Sequence, residues 1–240
     1  MSANTETFQF DSSSFLRRGV AIFVLVALAS AGISLGGKLY GRSIAMGGHT
    51  DSSVQHEIVI GNNVIVAPEN MIRFAEARRD GVARRLDLYL RWPDMSGYSK
   101  DARDDFNHVG DSRKILFLSF EEQSMSRDMS GRFAPIYDEL IDKPGVSGPS
   151  GLTIYNFSGK SGYVNESLAV TDRPGDDPFV ARCMTGEAAT GSLAPCERDI
   201  QLGDNLSLSY RFSAELLSQW PALEAAVRAS AVAMLQTGRR

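Results

Sequence analysis

The sequence predicts an α+β protein in which an N-terminal transmembrane helix precedes one mostly antiparallel sheet domain with helices on one face. Three observations support this prediction. Residues 19–35 form an uncharged apolar run. Residues 85–92 alternate between apolar and polar side chains, which is typical of a half-buried strand. Residues 213–235 carry apolar side chains at helical spacing behind Ser213, a residue type that often caps helices.

The apolar run is interpreted as an uncleaved transmembrane signal anchor over residues 19–40. A helix of residues 19–35 covers roughly 25 Å, slightly less than a hydrocarbon core of about 30 Å, and the residues up to Tyr40 complete the span. Two alternatives remain open, a signal peptide cleaved among the small residues 27–31 and a buried core helix. The anchor is favoured because the run continues beyond those small residues and no polar stripe divides it.

The charges beside the run are nearly balanced, so they define the orientation poorly. Arg17 and Arg18 precede the run, and Lys38 and Arg42 follow it. The short polar segment 1–18 suits a cytoplasmic stub. Both cysteines of the chain lie in the large C-terminal part, as expected of a domain in an oxidising compartment. We therefore predict an inner-membrane protein with a single span and a periplasmic C-terminal domain.

Beyond the span, composition predicts a flexible glycine-rich tether at 41–55 and a periplasmic α+β domain at 56–240. Residues 1–42 carry four basic and two acidic side chains, net +2, which leaves −6 for residues 43–240 from the whole-chain charge of −4. An acidic domain lacks the basic face that phosphates require, so nucleic acid is not an expected partner. The expected partners are the lipid bilayer, through the N-terminal helix, and an envelope protein or polymer.

Within the domain, alternating or apolar runs bounded by turn residues predict the strands. They are a hairpin at 57–66 and strands at 85–92, 115–118, 152–157, 163–170, 179–183, 197–202 and 206–212. Helices are predicted at 70–79, as two short segments within 124–142, and from Ser213 onward with a kink or restart at Pro221. In the last strand, the even-numbered side chains should face the core, and the odd-numbered ones should face outward.

No motif in the chain has the residues that a catalytic, cofactor-binding or metal site requires. The GKS triplet at 159–161 resembles the end of a phosphate-binding loop, but Ile154 stands where the first glycine is needed, so a hairpin turn is predicted. The acidic stretch 101–111 lacks the ligand spacing of a calcium loop, and its single histidine, His108, is too few for zinc. A solvated loop is favoured there, with weak divalent-ion binding as the alternative.

Cys183 and Cys196 are predicted to form a disulfide. Each lies at the end of a predicted strand, and the loop between them is small and polar. A bond that closes a loop of this size stabilises the fold by roughly 3 kcal/mol in the chain-entropy model. The alternative is a pair of buried reduced thiols.

Trp92, Asp94 and Tyr98 form the candidate partner-binding surface. Two aromatic side chains around a turn can stack on a sugar ring or on a partner's proline. The alternative is structural: Trp92 ends a core strand, and Tyr98 covers the edge of the sheet.

Three segments, WPDMSGY, RFAPIYDEL and CERDIQLGDNLSLSYRF, follow the single span and the glycine tether. Together they resemble uncharacterised single-span membrane-anchored envelope proteins of Gram-negative, alphaproteobacterial bacteria. The resemblance implies an inner-membrane location, and it assigns no activity and no functional residues.

Two function classes are therefore predicted. The leading one is a non-enzymatic binding or scaffolding protein of the cell envelope, because an anchor and a tether are present and no active-site motif is found. The alternative is a membrane-tethered hydrolase whose carboxylates meet only in the fold, with Asp94 or Asp104 acting together with Glu121.

Overall fold

The computed structural model describes residues 17, 18, 20–34 and 47–236. The chain divides into two compact units, Met1–Gly48 and His49–Arg240. In the first unit, residues 20–34 form helix α1, whose large apolar side chains are exposed, Phe23 by 80%. Within the described residues, no helix has both the length and the apolar character needed to cross a bilayer. The predicted span also includes Gly19 and residues 35–40, which lie outside the described residues.

The second unit is an α+β fold built on one large antiparallel sheet and one small sheet. The strands are β1 (Gln55–Ile60), β2 (Asn63–Pro68), β3 (Gly81–Val82), β4 (Arg85–Arg91), β5 (Ile115–Glu122), β6 (Val146–Ser147), β7 (Thr153–Asn156), β8 (Glu166–Arg173), β9 (Asp176–Met184), β10 (Cys196–Leu202) and β11 (Leu206–Phe212). The small sheet has the order β2-β1-β3, and the large sheet has the order β4-β5-β11-β10-β9-β8-β7-β6. The α+β class and the antiparallel sheet are therefore confirmed.

One face of the large sheet forms the main core, and this face can be predicted from strand alternation. In β11 the even-numbered residues from Leu206 to Phe212 are buried and the odd-numbered ones are half-buried, as predicted. The small sheet and helix α4 (Trp220–Met234) contribute to the same core. Pro221 lies in the first turn of α4, which follows a 3-10 segment, so the chain restarts a helix there as expected.

Strands β9 and β10 pair over only two residue pairs before they diverge, and Arg198 fills the gap. Its guanidinium donates hydrogen bonds to the Val180 carbonyl at 2.7 Å, to the Ser130 hydroxyl at 3.0 Å and to Glu224 Oε1 at 3.1 Å. Arg198 is 1% exposed, and its charge lies 4.7 Å from the centre of the Phe179 ring. This one side chain therefore links the two halves of the sheet to α4.

The opposite face of the large sheet is covered at its two ends. Over β8 and β9, an apolar cluster includes Met129, Tyr137 and Ile141 from the preceding loop segment. Over β4 and β5, a second cluster includes Tyr98 and Phe106, the latter from the short helix α2 (Arg103–Phe106). The strands between the two clusters keep an open polar surface on this face.

Two predictions of local structure were wrong. Residues 124–142 form turns and one 3-10 segment, Tyr137–Glu139, because apolar side chains of this segment, among them Met129 and Tyr137, pack against β8 and β9. Residues 70–79 contain only short 3-10 turns.

The tether predicted at 41–55 overlaps the second compact unit, which begins at His49, and residues 41–46 of the tether lie outside the described residues. The His49 ring stacks on the Tyr98 ring with centroids 4.7 Å apart. The backbone of residues 52–54 accepts hydrogen bonds at 2.8 Å from the amides of Glu69 and Asn70.

Candidate functional site

The open surface between the two apolar clusters is a central groove, whose floor is formed by odd-numbered side chains of four strands other than Tyr89, which is buried in the second apolar cluster. Three rows cross β4, β5, β11 and β10: Arg85, Glu121, Ser207 and Gln201; Asp87, Ser119, Ser209 and Asp199; and Tyr89, Phe117, Arg211 and Glu197. The alternation that buries the even-numbered side chains therefore places ten polar side chains and two aromatic rings on the other face.

Two adjoining cavities make up the central groove, and they share Ser209. We name the first the ion-pair half; it has a volume of about 230 Å³ and is walled by residues 123–137. The second is the arginine half, which has a volume of about 340 Å³ and is walled by Arg73 and residues 191–194.

In the ion-pair half, every carboxylate on the β10 side is held by an arginine. Arg132 donates to Asp199 Oδ1 at 2.6 Å. Arg182 lies 2.8 Å from Glu166 Oε2 and also pairs with Glu197. Burial raises the pKa of Asp199 and of Glu166, and the neighbouring arginines oppose that rise. These carboxylates are committed to ion pairs, so none is arranged as a free general acid or base.

In the arginine half, Arg85, Asp87 and Ser119 form a closed hydrogen-bond network. Arg85 Nε donates to Asp87 Oδ1 at 2.9 Å, and Arg85 Nη2 donates to the Ser119 hydroxyl at 2.7 Å. The Ser119 hydroxyl in turn donates to Asp87. This network fixes one arginine and one aspartate, and it leaves Arg73 and Arg211 as the other charged groups of this half.

The predicted disulfide is confirmed. Cys183 and Cys196 are directly opposite each other on β9 and β10, with Cα atoms 4.0 Å apart. The bond closes the loop that contains helix α3 (Gly186–Thr190), and residues 191–194 of that loop form a wall of the arginine half. The disulfide therefore supports the groove as well as the core.

The three residues predicted to bind a partner lie in different environments. Tyr98 is 1% exposed inside the second apolar cluster, so its side chain does not reach a partner. Trp92 is half-buried against the main core. Asp94 accepts hydrogen bonds from Arg91, at 2.8 Å from Nη2, and this contact lowers its pKa to about 2. A binding role for Trp92 and Asp94 stays a prediction.

The carboxylates proposed for a hydrolase do not meet. Glu121 lies opposite Arg85, whereas Asp94 pairs with Arg91, six residues further along the same strand, which corresponds to roughly 20 Å. Asp104 is an exposed residue of α2, whose Phe106 packs in the apolar cluster at that distant end. In the described part of the chain, no group of three or more His, Cys, Asp or Glu side chains is arranged to hold a metal ion.

Sequence reasoning missed the central groove. The alternation of β11 showed that Ser207, Ser209 and Arg211 share a face, but it could not show which strands lie beside β11. That information depends on sheet order, since β5 and β11 are neighbours although more than 80 residues separate them.

No protein-family model and no curated protein matches the chain. Among solved structures, the chain is similar to Smlt3025, an immunity protein of the Stenotrophomonas maltophilia type IV secretion system, with 16% identity and a TM-score of 0.50. The match covers 79% of this chain and 95% of that one. A second match is the Neisseria meningitidis iron-regulated outer membrane lipoprotein FrpD, with 10% identity, a TM-score of 0.42 and coverage of 76% and 95%. At these identities, the first likeness concerns the fold alone, and the second is too distant to support an argument.

Proposed function

We propose that this protein is a non-enzymatic binding protein of the cell envelope, which contacts a partner protein through the central groove. The observation that carries the proposal is the state of the groove's charged groups. The floor is open, yet Asp87, Asp199 and Glu197 are each held by an arginine. Such a surface offers charge and hydrogen-bonding complementarity, and it offers no free acid–base pair.

The rim of the groove also suits a protein partner. Met125 is 53% exposed and Ile136 is 39% exposed, and both belong to the segment that walls the ion-pair half. Protein interfaces combine a few apolar anchors with polar groups that fix the register, and methionine is a residue that adapts to a partner's shape. We therefore assign Met125 and Ile136 as apolar anchors beside a polar floor.

Three observations support an envelope location. The exposed apolar side chains of α1 suit a bilayer, and Leu35, Leu39 and Tyr40 follow α1 in sequence. The disulfide is typical of an oxidising compartment. The fold resembles that of an immunity protein of a bacterial secretion system. Our proposal is thus a single span in the inner membrane with a periplasmic domain.

Crosslinking in cells tests this proposal. The tagged full-length chain is expressed in its native host, treated with formaldehyde and purified under denaturing conditions, and the adducts are identified by mass spectrometry. Ser209→Trp fills the centre of the groove, and Ala229→Trp is the matched control on the exposed side of α4.

We expect Ser209→Trp to lose the adduct that the wild type forms and Ala229→Trp to keep it, with equal melting temperatures for both variants. An adduct that survives Ser209→Trp would show that the groove is not the binding surface.

A further inference from the structure

The two halves of the central groove differ in charge. The ion-pair half is lined by three arginines and three carboxylates, net 0. The arginine half is lined by three arginines and one aspartate, net +2. This excess lies in a domain whose sequence carries an overall charge of −6 over residues 43–240. The positive charge is therefore a local feature of this half and does not reflect the composition of the domain.

Two of the three arginines make no ion pair with any carboxylate in the described part of the chain. Arg85 is satisfied by Asp87 and Ser119. Among the described residues, neither Arg73 nor Arg211 makes an ion pair, although Arg211 is half-buried on the floor of the groove. A half-buried guanidinium binds an anion more favourably than an exposed one does, because it has already lost part of its hydration.

Aromatic rings position the guanidinium of Arg73, and one of these rings also neighbours Arg211. The guanidinium of Arg73 lies 4.9 Å from the centre of the Phe117 ring and 5.0 Å from that of Phe74. Phe117 is also the direct cross-strand neighbour of Arg211, so one ring lies next to both side chains. The backbone amide of Arg73 donates to the Asp87 carbonyl at 3.0 Å, which ties this segment to β4.

We propose that the arginine half receives carboxylate side chains from an acidic segment of the partner protein. A guanidinium presents paired N–H donors that match a carboxylate, and two arginines beside one ring match consecutive acidic side chains. Met125 and Ile136 then bind the apolar part of the same partner at the other half. This inference rests on the proposed function, since it specifies the chemistry of the partner that the groove binds.

A labelled peptide tests the chemistry directly. Fluorescein-labelled hexaglutamate is titrated with the full-length chain in detergent micelles, and binding is followed by fluorescence anisotropy. We expect saturable binding that weakens as salt is raised, with a Kd about tenfold higher in Arg73→Ala and in Arg211→Ala. Arg211→Lys should retain part of the affinity. Arg103→Ala, an exposed arginine of α2, is the matched control and should bind like the wild type.

Two results would overturn the inference. One is equal affinity of hexaglutamate for the wild type and for the Arg73→Ala/Arg211→Ala double variant. The other is competition by inorganic phosphate at lower concentration than by free glutamate, which would indicate a phosphate site.

The double variant also separates this inference from the proposed function. If the cellular adduct is lost on Ser209→Trp but persists in the double variant, the groove binds a partner, and the inference that the arginine half binds acidic side chains of that partner is wrong. If the adduct persists in both variants while hexaglutamate binding is lost, the chemistry of the site holds and the proposed function fails.

Discussion

The two faces of the large sheet are made by the same strands and have opposite character. On the core face, the side chains of β11 are all apolar except for the buried hydroxyl of Tyr210, and α4 and the small sheet cover them. On the groove face, the alternate residues are serines and an arginine, and only the two ends are covered. One face therefore supplies stability, and the other is left available for binding.

Each face also contains some side chains of the opposite character. The core face contains one buried charge network around Arg198 and Glu224. The groove face contains apolar clusters at its ends, one of them closed by His49.

The largest effect is expected on removal of the charge that lies within the core face. Arg198→Met leaves Glu224 with fewer charged partners and leaves the Val180 carbonyl without its donor, so it should destabilise the fold by about 3 kcal/mol or more. Arg228 is the matched control, because it also contacts Glu224 but is largely exposed, and Arg228→Met should cost less than about 1 kcal/mol. Urea unfolding measures both. Similar losses for the two variants would contradict the role of Arg198 in joining the halves of the sheet.

Adjacent residues of β11 compare the two faces directly. Leu208 is fully buried, so Leu208→Ala should lower the free energy of unfolding by about 2–5 kcal/mol. Ser207 faces the groove, and Ser207→Ala should change stability by less than about 0.5 kcal/mol. Thermal and urea unfolding provide the test. Equal costs would show that the register of this strand is wrong.

The disulfide connects stability to the groove wall. Replacing Cys183 and Cys196 by serine should destabilise the domain by roughly 3 kcal/mol, because the unfolded chain regains the freedom of the closed loop. Amide exchange should accelerate in residues 184–195, and hexaglutamate binding should weaken because those residues wall the arginine half. Full alkylation of both thiols in protein unfolded without reductant would show that the bond is absent.

The smallest effect concerns His49 at the covered end of the groove face. Burial among Tyr98, Tyr89 and Phe106 lowers its pKa, an effect that Arg78 and His108 reinforce and a hydrogen bond to Asn107 opposes. Because the folded pKa lies below the unfolded value of about 6.5, this group favours folding above that pH, and the benefit is lost as the pH falls through the folded pKa.

NMR titration of the His49 ring should therefore give a midpoint below 6.5. His49→Phe should remove this part of the pH dependence of stability. A His49 midpoint at or above 6.5 would contradict the packing described for this end of the sheet.

Much of the fold could be predicted because strand alternation is a local property. The strands at 85–92 and 206–212, the capping by Ser213 and the restart at Pro221 all follow from neighbouring residues. The segment 124–142 has helical spacing, but its side chains pack against β8 and β9, and this tertiary packing replaces the helix.

The site could be predicted only in part. The disulfide followed from two cysteines at strand ends. The groove depends on neighbours that are distant in sequence, such as Asp87, Ser119 and Ser209, and no local pattern shows that these residues form one row. Tyr98 was predicted either to bind a partner or to cover the edge of the sheet, and contacts with His49 and Phe106, which the sequence does not reveal, bury it.

The central claim is that the groove face binds a partner protein, and site-specific photocrosslinking from both faces tests it most directly. A photoreactive amino acid is placed at Ser124, which is exposed on the wall of the ion-pair half, or at Ala229 on α4, each in the full-length chain in its native host. Our account predicts one discrete adduct from position 124, absent from position 229 and abolished in the Arg73→Ala/Arg211→Ala variant. An adduct from position 229 alone, or identical adducts from both positions, would contradict it.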